Sequence, residues 1–138
     1  MRLHGRTLVR GSCIGELALL DSPLSFWGGF DPVAGIIIDK AHPQVGTSLG
    51  GLVVAMAGSR GSSGTPGVLG ESLRRGTGPA GLLITKADIN LVAGAMVAGA
   101  LYGSTCPVVV LDAADFAQLP RSGRAEVHPD GAVEVHAA

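Results

Sequence analysis

Gly51-Leu52-Val53-Val54-Ala55-Met56-Ala57 is an unbroken apolar run of strand length that leads directly into Gly58-Ser59-Arg60-Gly61-Ser62-Ser63-Gly64. Without polar alternation, such a run has the pattern of a strand buried on both faces. The loop is followed by a helix pattern. Pro66 suits a first turn, Val68, Leu69, Ser72 and Leu73 form one apolar stripe, and Gly76 is a stop. The cycle then repeats. Gly81-Leu82-Leu83-Ile84-Thr85 reads as a strand, and Asp88 or Asn90 as the cap of a Gly/Ala-rich helix to about Tyr102. Pro107-Val108-Val109-Val110-Leu111 reads as another buried strand. This β-α-β-α-β core predicts an α/β fold.

Upstream, Leu3 to Leu20 has strand character broken by Gly5, Gly11 and Gly15, which fit bulges or turns. Leu24 to Pro32 holds Phe26, Trp27 and Phe30 around Gly28 and Gly29 and predicts a structured loop. Gly35-Ile36-Ile37-Ile38-Asp39 predicts a short strand, and Lys40 to Leu49 a surface excursion. Downstream, Arg124–His128 and Ala132–His136 alternate around Pro129-Asp130-Gly131, a hairpin signal.

A length of 138 residues fits one domain, 1–138. Hydrophobic residues make up 46% and aromatic ones only 4%, so the core must be built from Val, Ile, Leu and Ala. A net charge of -1 gives no basic footprint for nucleic acid or for an anionic membrane surface, and neither is an expected partner. The apolar stretch Leu91 to Leu101 is broken by Gly94 and Gly99 and is shorter than the roughly 20 residues of a membrane span. It is expected to be a buried helix. Cys13 and Cys106 are the only cysteines and read as buried apolar residues, and Met1 to Arg6 lacks the apolar region of a signal peptide. The expected location is the cytoplasm. The 22 glycines have no collagen period, and together with the low charge they hint that another subunit covers part of the exterior.

A buried strand that turns through glycines into a helix presents backbone N–H groups at the positive end of the helix dipole. In the loop, Gly58, Gly61 and Gly64 allow close approach, Ser59, Ser62, Ser63 and Thr65 add hydroxyls, and Arg60 adds a fork for carboxylate or phosphate. The loop lacks the Gly-Lys-Ser/Thr of a Walker sequence and the spacing of a dinucleotide fingerprint. It reads as an anion cradle, with a plain helix-capping turn as the alternative. A serine could serve here as base or nucleophile only with its alkoxide stabilised. His4, His42, His128 and His136 are scattered through surface-like segments and none is assigned to a triad.

Pro23 to Pro32, then Asp39-Lys40-Ala41-His42-Pro43, then Gly58 to Gly64 occur in this order. Together they resemble the aconitase X swivel domain over roughly Arg2 to Asp112. The resemblance implies a swivelling β/β/α domain, a central sheet or flattened barrel with two main helices, that acts as the small subunit of a dehydratase. It implies Ser62 as the general base removing a proton from carbon, with Arg60, Gly61, Ser63, Gly64 and Thr65 around the substrate. Trp27, Gly28, Gly29 and Asp31 are candidates for the site or the subunit interface, and the roles of His42, Lys86 and Asp88 stay open. The family carries an iron–sulfur cluster whose iron polarises the departing hydroxyl. Such a cluster needs three or four thiolates, so it is expected on a large catalytic subunit, with no metal or cofactor bound by this chain. Two substrate classes are implied, cis-3-hydroxy-L-proline and mevalonate 5-phosphate. Ser62 to Leu69 and Thr85 to Asn90 look like the former type. A non-catalytic anion-binding or regulatory domain is the reading from another class. An isolated chain is also expected to be able to form homo-oligomers through the surface meant for its partner.

Overall fold

The computed structural model describes residues 1–59 and 62–138. The central strands are short and apolar because both of their faces are covered. In β6 (Val53–Ala55), β7 (Gly81–Ile84) and β8 (Val108–Val110), alternate side chains serve two different cores. Val54, Met56, Leu82, Ile84 and Val108 point to a layer containing Leu69, Leu73, Leu91, Ala95 and Ala98 from two helices. Val53, Ala55, Leu83 and Val109 point the other way, onto Leu3, Leu17, Ala125, Val127, Val133 and Val135. The helices are α2 (Thr65–Arg75) and α3 (Ile89–Tyr102), and they pack on each other. Each ends on a left-handed glycine, Gly76 or Gly103. Arg74 and Arg75 in the last turn of α2 suit the negative end of its dipole.

The second core lies inside a nearly closed barrel. Eight strands run in the order β1-β10-β9-β3-β6-β7-β8-β2, with β1 at Arg2–His4, β2 at Arg6–Val9, β3 at Cys13–Leu19, β9 at Gly123–Val127 and β10 at Ala132–Ala137. Strands β3, β6, β7 and β8 are mutually parallel, and the other pairings are antiparallel. The edge strands β1 and β2 are consecutive in the chain and meet at Gly5. Its N–H donates to the Gly131 carbonyl at 2.8 Å. A Cβ on Gly5 would come within 2.4 Å of Val109 Cγ1, and Gly131 has φ +92. The corner thus needs glycine on both sides.

Three expectations change. Gly35–Asp39 is a strand only at β5 (Ile36–Ile37), and it pairs with β4 (Phe30–Asp31) in a separate two-stranded ribbon. His42 is 4% exposed and not a solvated surface group. Its Nδ1 accepts from the Gln44 N–H at 3.0 Å, which leaves Nε2–H to donate to the Ser22 carbonyl at 2.9 Å. The expected buried helix α3 is buried on one side only, as Leu91, Gly94, Ala95 and Ala98. Its outer side is open to solvent because the chain has no further layer to cover it. A turn, α1 (Phe26–Gly29), in which Trp27 is extended and Gly28 left-handed, and a short helix, α4 (Ala113–Ala117), complete the elements.

Candidate functional site

Four parallel strands bring their carboxyl ends to one edge, and the segments that follow them meet there. Ligands of open α/β sheets sit at this kind of edge. After β3 comes Leu24, which forms a parallel bridge with Ser59 in the loop after β6. After β7, the Thr85 hydroxyl donates to the Ala57 carbonyl, and Asp88 receives the Ser59 hydroxyl on Oδ2 at 2.5 Å. The other oxygen of Asp88 caps α3, accepting from the N–H groups of Asn90 at 2.9 Å and Leu91 at 3.3 Å. One carboxylate therefore ties the start of the loop to the start of a helix. The capping role is legible in the sequence; the bond to Ser59, 29 residues away, is not.

At the far end of the loop the chain enters α2 through Gly64, with no side-chain cap and no acidic residue in the first turn. The Gly64 N–H donates to Ser62 Oγ at 3.2 Å, and the Ser62 carbonyl accepts from the Thr65 N–H at 3.0 Å. Ser62 is half-buried and Ser63 exposed. Thr65 is fully buried, and its hydroxyl has no hydrogen-bond partner among the described residues. An amide donated to the Ser62 oxygen, at the positive end of a helix dipole, favours negative charge on that oxygen. Arg60 and Gly61 lie outside the described residues.

Trp27 reaches this loop. A Cβ on Gly64 would fall 2.5 to 3.0 Å from Cε3, Cδ2 and Cγ of the indole, so the ring rests on the bare face of this glycine. The indole is still 62% exposed. Gly64→Ala is expected to push the ring away and shift the emission of this single tryptophan, while stability changes by less than about 1 kcal/mol. Unchanged emission would place the ring elsewhere.

The other candidates have local duties. Asp31 Oδ1 accepts from the N–H groups of Val33 at 2.9 Å and Ala34 at 3.3 Å, which builds the turn after β4. The Gly29 carbonyl accepts from Ile38 N–H at 2.9 Å and Asp39 N–H at 3.3 Å, holding the Trp27 segment against the ribbon. Lys86 is exposed on the edge that carries the loop. Both ring nitrogens of His42 are engaged, which leaves it no proton role at Ser62. Glu126, His128 and Glu134 converge on the β9–β10 face, where Arg2 pairs with Glu134 at 2.5 Å.

The cysteines do not fit an iron–sulfur cluster. There are two, fewer than the three or four thiolates a cluster requires. Burial pushes the Cys13 thiol up to about 11 and the Cys106 thiol to about 12. Both stay protonated, and inert, at neutral pH. The unfolded chain ionises these thiols near pH 9 while the folded chain does not, so their contribution is full below about pH 9 and is lost between there and pH 11 to 12. Denaturant titrations across this range should show stability falling, and a shallower fall in Cys106→Ala.

The model of the aconitase X swivel domain matches residues 2–135, and the chain belongs to this family. It is 41% identical over 132 residues to a cis-3-hydroxy-L-proline dehydratase of Pseudomonas aeruginosa, covering 91% of this chain and 23% of that one. The chain thus spans about a quarter of the length of that relative. It is 33% identical over 136 residues to a phosphomevalonate dehydratase small subunit of Thermococcus onnurineus, covering 98% of both. The crystal structure of Thermococcus kodakaraensis aconitase X in its holo-form superposes with a TM-score of 0.86 at 27% identity, covering 99% of this chain and 98% of that one. The family is one of iron–sulfur enzymes, its named relatives are dehydratases, and "small subunit" implies a large one in the archaeal enzymes. Among the described residues no helix is long and apolar enough to cross a membrane.

Proposed function

We propose that this chain is the small, swivelling part of a two-part dehydratase acting on cis-3-hydroxy-L-proline, with Ser62 as the base. The observation that carries the reading is the Gly64 amide aimed at Ser62 Oγ at the uncapped start of α2. An alkoxide at Ser62 would be stabilised by this amide and by the dipole of α2, with Arg60 as its charged neighbour in sequence. It would take the proton from the substrate carbon and become a neutral hydroxyl. Loss of the substrate hydroxyl falls to groups of the large partner, because this chain has no ligand set for the cluster.

The higher identity to the Pseudomonas enzyme supports the imino acid as substrate. The second reading, the small subunit of a mevalonate 5-phosphate dehydratase, is favoured by the matching length of the Thermococcus protein. The test is a spectrophotometric assay of the chain reconstituted with the aconitase X large subunit of the same genome. Turnover of cis-3-hydroxy-L-proline is expected, and turnover of mevalonate 5-phosphate alone would select the second reading. Binding of either compound without turnover would leave a non-catalytic anion-binding module.

A further inference from the structure

Fourteen consecutive residues of α3, Ile89 to Tyr102, contain no charged side chain. The helix covers α2 with one side only. On the other, Ile89 is 81% exposed, Met96 57%, Val97 52% and Leu101 66%. Ile89, Met96, Val97 and Leu101, with Ala93 and Ala100 between them, fall at helical spacing on a single stripe. Beside the stripe, α3 and β2 form a groove of about 380 Å³ whose lining is mixed, with Leu8, Val9 and Met96 beside Arg10, Ser104 and Thr105. An apolar stripe flanked by a groove is what an interface core with a side-chain anchor requires, and contiguous exposed apolar surface of this kind marks association sites.

We propose that this face of α3 is the docking surface for the large catalytic subunit. The inference rests on the two-part dehydratase reading and adds to it where the parts meet. Two observations select this occupant. First, the stripe is continuous with the site: Ile89 directly follows Asp88, whose carboxylate holds Ser59 of the loop. A body that completes the site over Ser62 therefore abuts the start of α3. Second, the opposite side of the barrel is built for water. There Arg2 pairs with Glu134, and His128 lies 3.4 Å from Glu134 and 3.9 Å from Glu126. Charged residues are depleted from interface cores, so the partner's apolar surface belongs on α3.

The test is calorimetric titration of the large subunit of the same genome into wild type, Val97→Glu and Leu101→Glu. The two variants carry their charge on exposed positions, and circular dichroism checks that they stay folded. A loss of affinity of about tenfold or more is expected in each. Ile14→Lys, on an exposed position of β3, is expected to bind within about twofold of wild type. Wild-type affinity in folded α3 variants would overturn the docking face and leave the two-part enzyme standing. No complex with wild type would instead remove the two-part reading itself. Light scattering that finds a wild-type dimer broken by Leu101→Glu, with large-subunit affinity unchanged, would give the face to a second copy of this chain. If both variants fail to fold, peroxide oxidation of Met96 in the wild-type complex decides. Slowing of about fivefold or more supports docking, and an unchanged rate overturns it.

Discussion

Ser62→Ala in the reconstituted enzyme is expected to lose about 10² to 10⁴ in kcat, the range for removal of a general base. That corresponds to about 3 to 5 kcal/mol of barrier. KM should move little, because the proton transfer is a transition-state event. Folding should be nearly unaffected. Among the described residues the hydroxyl receives one amide hydrogen bond, from Gly64, and such a bond contributes about 0.5 to 1.5 kcal/mol. Ser63→Ala, at an exposed neighbour, should lose much less rate. The comparison is read from steady-state kinetics with complex formation checked by gel filtration. A Ser62→Ala enzyme that keeps near-normal kcat would remove Ser62 from the chemistry.

Asp88→Ala is expected to be the most damaging change to stability among the site residues. It removes the cap of α3, worth about 1 kcal/mol, and the charged acceptor of Ser59, worth about 1.5 to 3 kcal/mol. Together these amount to about 2.5 to 4 kcal/mol, or roughly a 10 °C fall in Tm for a chain of this length. Two single-function variants separate the terms by calorimetry. Asp88→Asn retains a good cap but replaces the charged acceptor. Ser59→Ala retains the cap and loses only the tie to the loop. If Ser59→Ala alone matched the full loss, the cap would contribute nothing.

The central strands and both long helices are legible because local and global signals agree. Val53 to Ala55 and Leu82 to Ile84 serve two cores at once, so their sequences have no polar alternation to confuse the reading. The stop at Gly76 and the cap at Asp88 follow from backbone chemistry within a few residues. The barrel closure is not local. Nothing near Gly5 announces that its amide meets Gly131, 126 positions on. The exposure of α3 was equally hidden, because apolarity all round a helix states that it is to be covered, not by which chain. At the site, the passage from strand β6 to helix α2 is legible from the sequence, while Trp27 on Gly64 and Ser59 on Asp88 depend on how the strand ends converge. His42 was misread because its segment is polar; two backbone partners, Ser22 and Gln44, account for its burial.

The position of β1 bears on how the molecule is made. Leu3 pairs with Val133 and the N-terminal amine reaches the Val135 carbonyl, so the first strand waits for the last. On the ribosome, the β6-α2-β7-α3-β8 unit can form early from neighbouring segments, yet the ring of strands stays open until the C-terminal hairpin emerges. Such long-range pairing is slow and leaves strand edges unpaired in the meantime. During that interval the β3 edge, awaiting β9, is open to wrong partners, together with the uncovered face of α3. The barrel is sealed only when β9 and β10 have been made.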